Sequence, residues 1–540
     1  MIAKITKTYL VMILMGYSFG SVYAQTWSKS FSAGGYDSGS NLLGGSEVLQ
    51  LIEHKGALYA SIGYWQDGNN IWYGGFNNNI GWGQVNRLDS PNGDWKEDLF
   101  MGGNYLRPEI LKQVIFTKDQ FGASLSVPDT VLICSGYSPN YITNVVTVES
   151  FVRDDVSNTW EESLIMQGSF PAGENYSVRD IQVYTDKQTG LEYVFATIGT
   201  QGIYKGKYNP STQGKIDWIA TPEYGPLNIR PLGIVEANET LYFSSGDKLY
   251  KRIDGVSPTY AVAHDFSDLG AIINSAVGGI RGLTTIKNPS NNSDALLMMW
   301  CPNGQSQGVI YRLEADGTGG LNRVYETKLS VLIEGYLPGT SADYVLGAYN
   351  EFYEYIDPIN NDTLHIVGFE VSINGGGYPT WNGYYSGALF AKRDAGGQYA
   401  IEEINGVIGQ TDTALVANRC YVKSPFIGEN SLYFGGFDPN GNAATNMAWV
   451  FKKDYLVNSI DETQTNENNF VVYPNPSSNH IFIKSKNPED HQYKIFNILG
   501  EKVTTGKING PIEAVDISSI PPNVYILRVA NECYKFIKTN

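Results

Sequence analysis

The sequence predicts an all-β protein: a seven-bladed β-propeller followed by a small C-terminal β-sandwich. Three observations carry that prediction. A short apolar strand recurs seven times, roughly 50 to 70 residues apart. Each copy is followed by a second strand that ends in charge. Gly, Asn and Tyr are abundant while long helical periodicities are scarce, a composition suited to strands joined by tight turns.

Residues 1–24 read as a secretory signal peptide. Lys4 and Lys7 precede an apolar run from Tyr9 to Met15, and Val22-Tyr23-Ala24 offers small residues at the cleavage positions. Cleavage after Ala24 leaves Gln25 first, with no Cys there to take a lipid. The run is too short to span a bilayer, and no later segment reaches about 18 uninterrupted apolar residues, so no transmembrane segment is expected in the mature chain.

The propeller is expected over residues 25–455. The recurring strand stands at Ala57–Ala60, Val131–Cys134, Tyr193–Ala196, Leu241–Ser244, Leu296–Met299, Leu364–Val367 and Leu432–Gly435. Its partners are Val85–Asp89, Val152–Asp154, Ile203–Gly206, Leu249–Arg252, Ile310–Leu313, Leu389–Lys392 and Val450–Lys453. Seven pairs imply seven blades, each needing an inner strand before the pair and an outer strand after it. Val48–Ile52, Ile181–Tyr184 and Leu232–Val235 supply inner strands, and Trp95–Leu99 and Trp160–Leu164 supply outer ones. The seventh unit runs out at Asp454-Tyr455 without an outer strand. Trp27-Ser28-Lys29-Ser30-Phe31 repeats the Trp-x-x-x-apolar shape of the outer strands and is predicted to close the ring, hiding edges that invite aggregation.

Residues 456–469 are polar, rich in Asn, Thr and Glu, and without apolar periodicity, which marks a linker. Residues 470–540 then read as an independent β domain. Ile481–Ile483, Tyr493–Phe496 and Tyr525–Val529 are β-prone runs, and Gly500-Glu501, Asn509-Gly510 and Pro521-Pro522-Asn523 supply turns.

The same stretch carries an ordered set of motifs: Tyr473-Pro474-Asn475-Pro476, Tyr493-Lys494-Ile495-Phe496-Asn497-Ile498-Leu499-Gly500, Val515-Asp516-Ile517-Ser518-Ser519-Ile520, Val524-Tyr525, and Lys535-Phe536-Ile537-Lys538. In that order they resemble the type A C-terminal sorting domain of the type IX (Por) secretion system of Bacteroidetes. Asn497 stands where the family usually has Asp, and Asn523 where it usually has Gly. Because Asn tolerates a left-handed backbone better than other non-Gly residues, the turn is expected to survive. The resemblance implies export by the type IX machinery, to the medium or the outer-membrane surface, with the tail removed near the linker. It makes Tyr473, Pro474, Asn475, Pro476, Gly500, Tyr525 and Lys535 the sorting motif residues.

A charge balance of 38 basic against 55 acidic residues, net −17, excludes a broad nucleic-acid-binding face. Cys134, Cys301, Cys420 and Cys533 are spaced too widely for a disulfide scaffold or a zinc site and are read as buried thiols. No cofactor is expected. The turn Gly436–Asn442 offers hard oxygen atoms to Ca²⁺ but lacks the full spacing of a calcium loop, and ordinary turn chemistry is preferred.

Binding candidates come from the inner strands and the long loops. Arg179, Arg230 and Arg281 stand where inner strands begin, and Arg107 and Arg419 occupy looser equivalents. Inner strands line a propeller's channel, so these guanidiniums are candidates to grip a carboxylate or sulfate; the alternative is that each pairs with a neighbouring acid and staples blades together. Trp65 and Trp72, and Trp381, sit in long aromatic loops suited to sugar rings, or else to packing between blades. Catalytic signatures are absent: His54, His264 and His365 stand alone, and no HExxH, GxSxG or phosphate loop occurs. A lyase needs an Arg on the uronate carboxylate with a Tyr or His as base, and a glycosidase needs two facing carboxylates, for which Glu47, Glu109, Asp180 and Glu351 are candidates. The sequence therefore points to an exported propeller that binds a glycan, an anionic one by its arginines, and leaves open whether it also cleaves it. The rival is a non-catalytic adhesion or protein-interaction propeller.

Overall fold

The computed structural model describes residues 26–63, 83–102, 105, 108–140, 142–169, 176–273, 278–302, 306–358, 360–375, 384–404, 415–437, 447–455, 470–485, 491–497, 501–529 and 532–539. The signal peptide, the linker, Arg107, Trp65, Trp72, Trp381, Gly500 and most of the Gly436–Asn442 turn lie outside the described residues. Two compact units divide at Leu456/Val457.

The first unit is a ring of seven antiparallel blades, the first and last joined where Phe437 pairs with Glu47. In the second to fifth blades four strands follow one another along the chain, as in Val178–Thr185, Glu192–Ile198, Gly202–Tyr208 and Ile216–Trp218 of the third. Every strand pair predicted from the sequence forms the second and third strands of a blade. Second strands read as continuous apolar runs because both their faces are covered: all seven residues of Ala57–Gly63 and of Glu192–Ile198 are buried. The apolar side chains sort into seven cores, each between neighbouring blades, such as Tyr59, Val85, Leu111, Leu132 and Phe151 between the first and second.

The ring closes through its N-terminus. Thr26–Ser32 pairs antiparallel with Trp449–Asp454, Trp27 opposite Lys453 and Ser32 opposite Trp449. Trp27 packs on Phe434 at 5.1 Å and Lys453 lies over its ring at 5.3 Å, so the closing strand is held by packing as well as by its ladder.

The sixth blade departs from the pattern. Its inner strand is split into Ala342–Gly347 and Tyr353–Ile356, both paired with Thr363–Ile373. Residues 348–352 leave the sheet between them. A short helix, Leu329–Tyr336, precedes this blade; the all-β sequence pattern did not signal it.

The second unit is a sandwich of a three-stranded sheet (Phe470–Tyr473, His480–Ser485, Ile512–Asp516) and a four-stranded sheet (Lys502–Ile508, His491–Asn497, Asn523–Val529, Glu532–Lys538). Its own core includes Phe470, Ile483, Ile495, Val515, Leu527 and Phe536.

Candidate functional site

The first residues of the inner strands bring their side chains to one level of the axis. Arg419 donates to Glu47 Oε2 at 2.6 Å, and Arg179 to Glu109 Oε2 at 3.1 Å, with Arg230 3.9 Å from the same oxygen. Tyr349 lies between two guanidiniums, Arg419 3.9 Å and Arg281 4.7 Å from its ring centre. Arg179 also donates to the Tyr349 carbonyl at 2.8 Å, and Arg281 to the Gly347 carbonyl at 2.7 Å. The four arginines, Arg107 being undescribed, thus converge, but in a buried layer rather than in an open mouth: none is more than 9% exposed.

That layer is electrostatically strained. Among the described residues it sets four guanidiniums against Glu47, Glu109 and Glu370. Burial, with repulsion from Arg281 and Arg419, holds Arg179 below the usual arginine range in spite of Glu109. Burial also pushes the Glu370 carboxyl up to about 7, against the pull of Arg419 and a hydrogen bond from Tyr349. Glu370 Oε2 and Arg179 Nε have no hydrogen-bond partner.

Residues 348–352 cross the axis and bind blade to blade. Asn350 donates to the carbonyls of Leu49 (2.8 Å) and Arg419 (3.1 Å) and accepts from Gln50 (2.8 Å). Phe352 N–H reaches Thr284 Oγ1 at 2.7 Å. Gly282, at φ 59°, lets the segment through: a Cβ there would stand 2.5 Å from the Ala348 Cβ. Lys112 ties the segment to the third blade, bridging Asp180 (2.9 Å) and Glu351 (2.5 Å). Burial opposes the Lys112 charge, but the two acids raise it above the ordinary lysine range, while burial pushes Asp180 up to about 6.

A cavity of about 510 Å³ follows the inner strands from this layer. Arg179 and Arg419 reach it at the arginine end; Gln50, Lys112, Asn350 and Thr285 line it midway, and Glu53 and Glu354 stand where the inner strands end. Its volume falls within the range of small-molecule sites. The four carboxylates proposed for glycosidic chemistry are all engaged, Glu47 and Glu109 by arginines, Asp180 and Glu351 by Lys112. No group of three or more metal-ligating side chains occurs among the described residues. His54 is held between Gln113 and Asp155, His264 by the Leu321 carbonyl, and His365 is buried beside Glu354, its pKa pushed down to about 4 by burial. Sequence reasoning missed Tyr349, Glu370 and Lys112. The one cue was a lysine inside the apolar inner strand Ile110–Lys118.

In the second unit the Tyr473-Pro474-Asn475-Pro476 motif acts as a substitute strand. Prolines offer no N–H to a ladder, and the Asn475 amide replaces one, donating to the Lys535 carbonyl and accepting from Ile537 N–H, both at 2.9 Å. Ser477 N–H then donates to the Ile537 carbonyl, so the free edge of the last strand is covered from Lys535 onward. Tyr525 stacks on Phe536 at 5.6 Å and donates to the Pro521 carbonyl at 2.8 Å. Neither Asn497 nor Asn523 is left-handed. Asn497 instead accepts from Glu501 N–H at 2.9 Å, as an Asp would, and Asn523 opens a strand with its side chain accepting from Val524 N–H.

Residues 471–539 match the family described as a secretion system C-terminal sorting domain. The chain therefore carries a type IX sorting domain and is directed to the cell surface or beyond; no helix among the described residues is long and apolar enough to cross a membrane. No curated protein matches the sequence. Among solved structures, PorZ, a surface component of the type IX secretion system of Porphyromonas gingivalis, is 12% identical over 94% of this chain and 67% of its own, with a TM-score of 0.30. The α-L-arabinofuranosidase Arb93A of Fusarium graminearum is 10% identical over 80% and 100%, TM-score 0.35. An α-L-arabinanase of Penicillium chrysogenum is 10% identical over 65% and 98%, TM-score 0.34. No functional residue is carried over from any of them.

Proposed function

We propose that this exported propeller binds an acidic glycan in its axial cavity, without cleaving it. The observation that carries the reading is the arginine layer at the cavity's inner end, where among the described residues four guanidiniums meet three carboxylates and Arg179 and Arg419 line the cavity. A uronate carboxylate or a sulfate relieves that excess by pairing with Arg179 and Arg419, and a guanidinium is suited to such oxyanions. Gln50, Asn350, Thr285 and Lys112 offer donors and acceptors to sugar hydroxyls along the wall. Hydrolysis is disfavoured because each of the four candidate carboxylates already serves an ion pair.

The test is titration of the purified full chain with galacturonate and alginate oligosaccharides and with a neutral glucan, following unsaturated-product absorbance and reducing ends. Binding of the acidic sugars alone, without product, is expected. Equal binding of the glucan, or no binding at all, would sink the reading, and product release would overturn its non-catalytic part.

A further inference from the structure

The basic side chains of the two units are arranged differently. In the propeller, buried and half-buried cations alike hold acids, Arg252, Arg393, Lys187 and Lys248 among them. In the sorting domain the cations gather on the outward face of the four-stranded sheet. Its register places Lys494 opposite Arg528, Phe496 opposite both Lys502 and Ile526, Ile526 opposite Lys535, Val524 opposite Ile537, and Gln492 opposite Lys507. Lys494, Lys502, Lys507, Arg528 and Lys535 are exposed, and none has an ion-pair partner among the described residues. The alternate residues Ile495, Ile508, Leu527, Val529 and Phe536 form the buried face. Glu532 is the one acid in the four strands and stands across from buried Val529.

Residues 471–539 thus hold eight basic and six acidic residues in a chain of net −17, and the strands direct five of the cations to one side. Phe496, Val524, Ile526 and Ile537 run between them as an apolar stripe, with Ile537 39% exposed. Solvation does not require cations to surround apolar side chains on one face of a sheet; an interface does, with an apolar centre and a charged rim. Asn475 and Ser477 cover the edge of the last strand from Lys535 to Thr539.

We propose that this face docks on an acidic protein surface of the export machinery, one with an apolar centre to receive Phe496, Ile526 and Ile537 and carboxylates to meet Lys494, Arg528 and Lys535. Complementary charge of this kind speeds encounter and selects partners. It explains how an acidic cargo presents a signal of opposite sign.

The experiment expresses the full chain in a type IX-secreting cell with K494E/R528E/K535E and measures the fraction exported. Hydrogen exchange at the Ile537 amide reports whether the sandwich stays folded. Export at least tenfold lower with protection intact is expected, and K494R/K535R should export like the parent. Should the reversal unfold the domain, the neutral K494Q/R528Q/K535Q variant decides. Parental export in the folded reversal or in the neutral variant overturns the proposal. So does binding of the purified full chain to phosphatidylglycerol vesicles that the reversal abolishes, since that assigns the face to an anionic membrane.

Discussion

Two rings of buried cations run through the propeller, and their electrostatics differ. The outer ring lies on the third strands. Arg153 grips Asp98 of the preceding blade's outer strand at 2.8 and 3.2 Å, and Arg393 grips Glu326 through two 2.7 Å bonds. Arg252 reaches Glu223 and Asp186, both of the preceding blade, at 2.7 Å, and Lys453 holds Glu402. In the three arginine staples attraction wins over burial. Burial opposes the charge, yet the bonds to Asp98, Glu223 and Glu326 hold these guanidiniums above the usual arginine range, and the Asp186 carboxyl is lowered to about 2. In the inner ring burial and mutual repulsion win for Arg179, and Glu370 is half neutralised near pH 7. A buried pair in which attraction wins is a staple; a buried cluster beside a cavity in which burial and like charge win for one member is a candidate site.

The comparison breaks most directly at Arg252. Arg252→Leu leaves Glu223, Asp186 and Asp254 buried around an apolar side chain and should cost about 3–5 kcal/mol, read by denaturant unfolding. All ten tryptophans lie outside residues 470–540, so their fluorescence reports the propeller alone.

The two rings should also give opposite pH slopes. Glu370 is raised from about 4.5 to about 7, so its contribution is fully present below pH 4.5 and lost as pH rises through 7. Asp186, lowered to about 2, contributes above pH 4 and loses that contribution as pH falls towards 2. Glu370→Gln should flatten the decline in stability between pH 5 and 8, an effect on the order of 2–3 kcal/mol. A decline unchanged by the substitution would place its origin elsewhere, Glu403, also pushed up to about 7 by burial, being the first alternative.

Arg179→Gln should cost about 1 kcal/mol or less, because Glu109 keeps Arg230 and the repulsion from Arg281 and Arg419 is relieved. The same variant should weaken acidic-oligosaccharide binding at least tenfold. A loss of stability as large as that of Arg252→Leu would erase the distinction between the rings. The smallest effect is expected at Arg323, half-buried and bidentate on the exposed Asp268 with the geometry of the staples but not their burial. Arg323→Gln should leave the thermal midpoint unchanged within error.

Much of this architecture was legible in the chain. Second strands such as Tyr193–Ala196 are read correctly because both faces are buried, which leaves an unbroken apolar run in the sequence. The closing strand is read from Trp27 and Phe31, whose spacing repeats that of the outer strands, and the charge that ends the third strand proves in three blades, at Arg153, Arg252 and Lys453, to be an interblade staple, with Arg393 one residue past the predicted strand in a fourth. The arginine positions were visible too, since they recur at the start of the inner strands. Whether they stood in a mouth or in a buried layer was not, because that depends on what fills the axis.

What fills it is residues 348–352, and nothing local in Ala348-Tyr349-Asn350-Glu351-Phe352 marks them as a plug. Their partners, Leu49, Gln50, Lys112, Arg179, Thr284 and Arg419, come from five other blades and from up to 301 residues away. Periodicity and motif order, which are local along the chain, determined the blades, the closing strand and the sorting tail. The charge state of the axial layer and the basic face of the tail were decided by tertiary structure alone, since burial and cross-strand register exist only once distant segments have met.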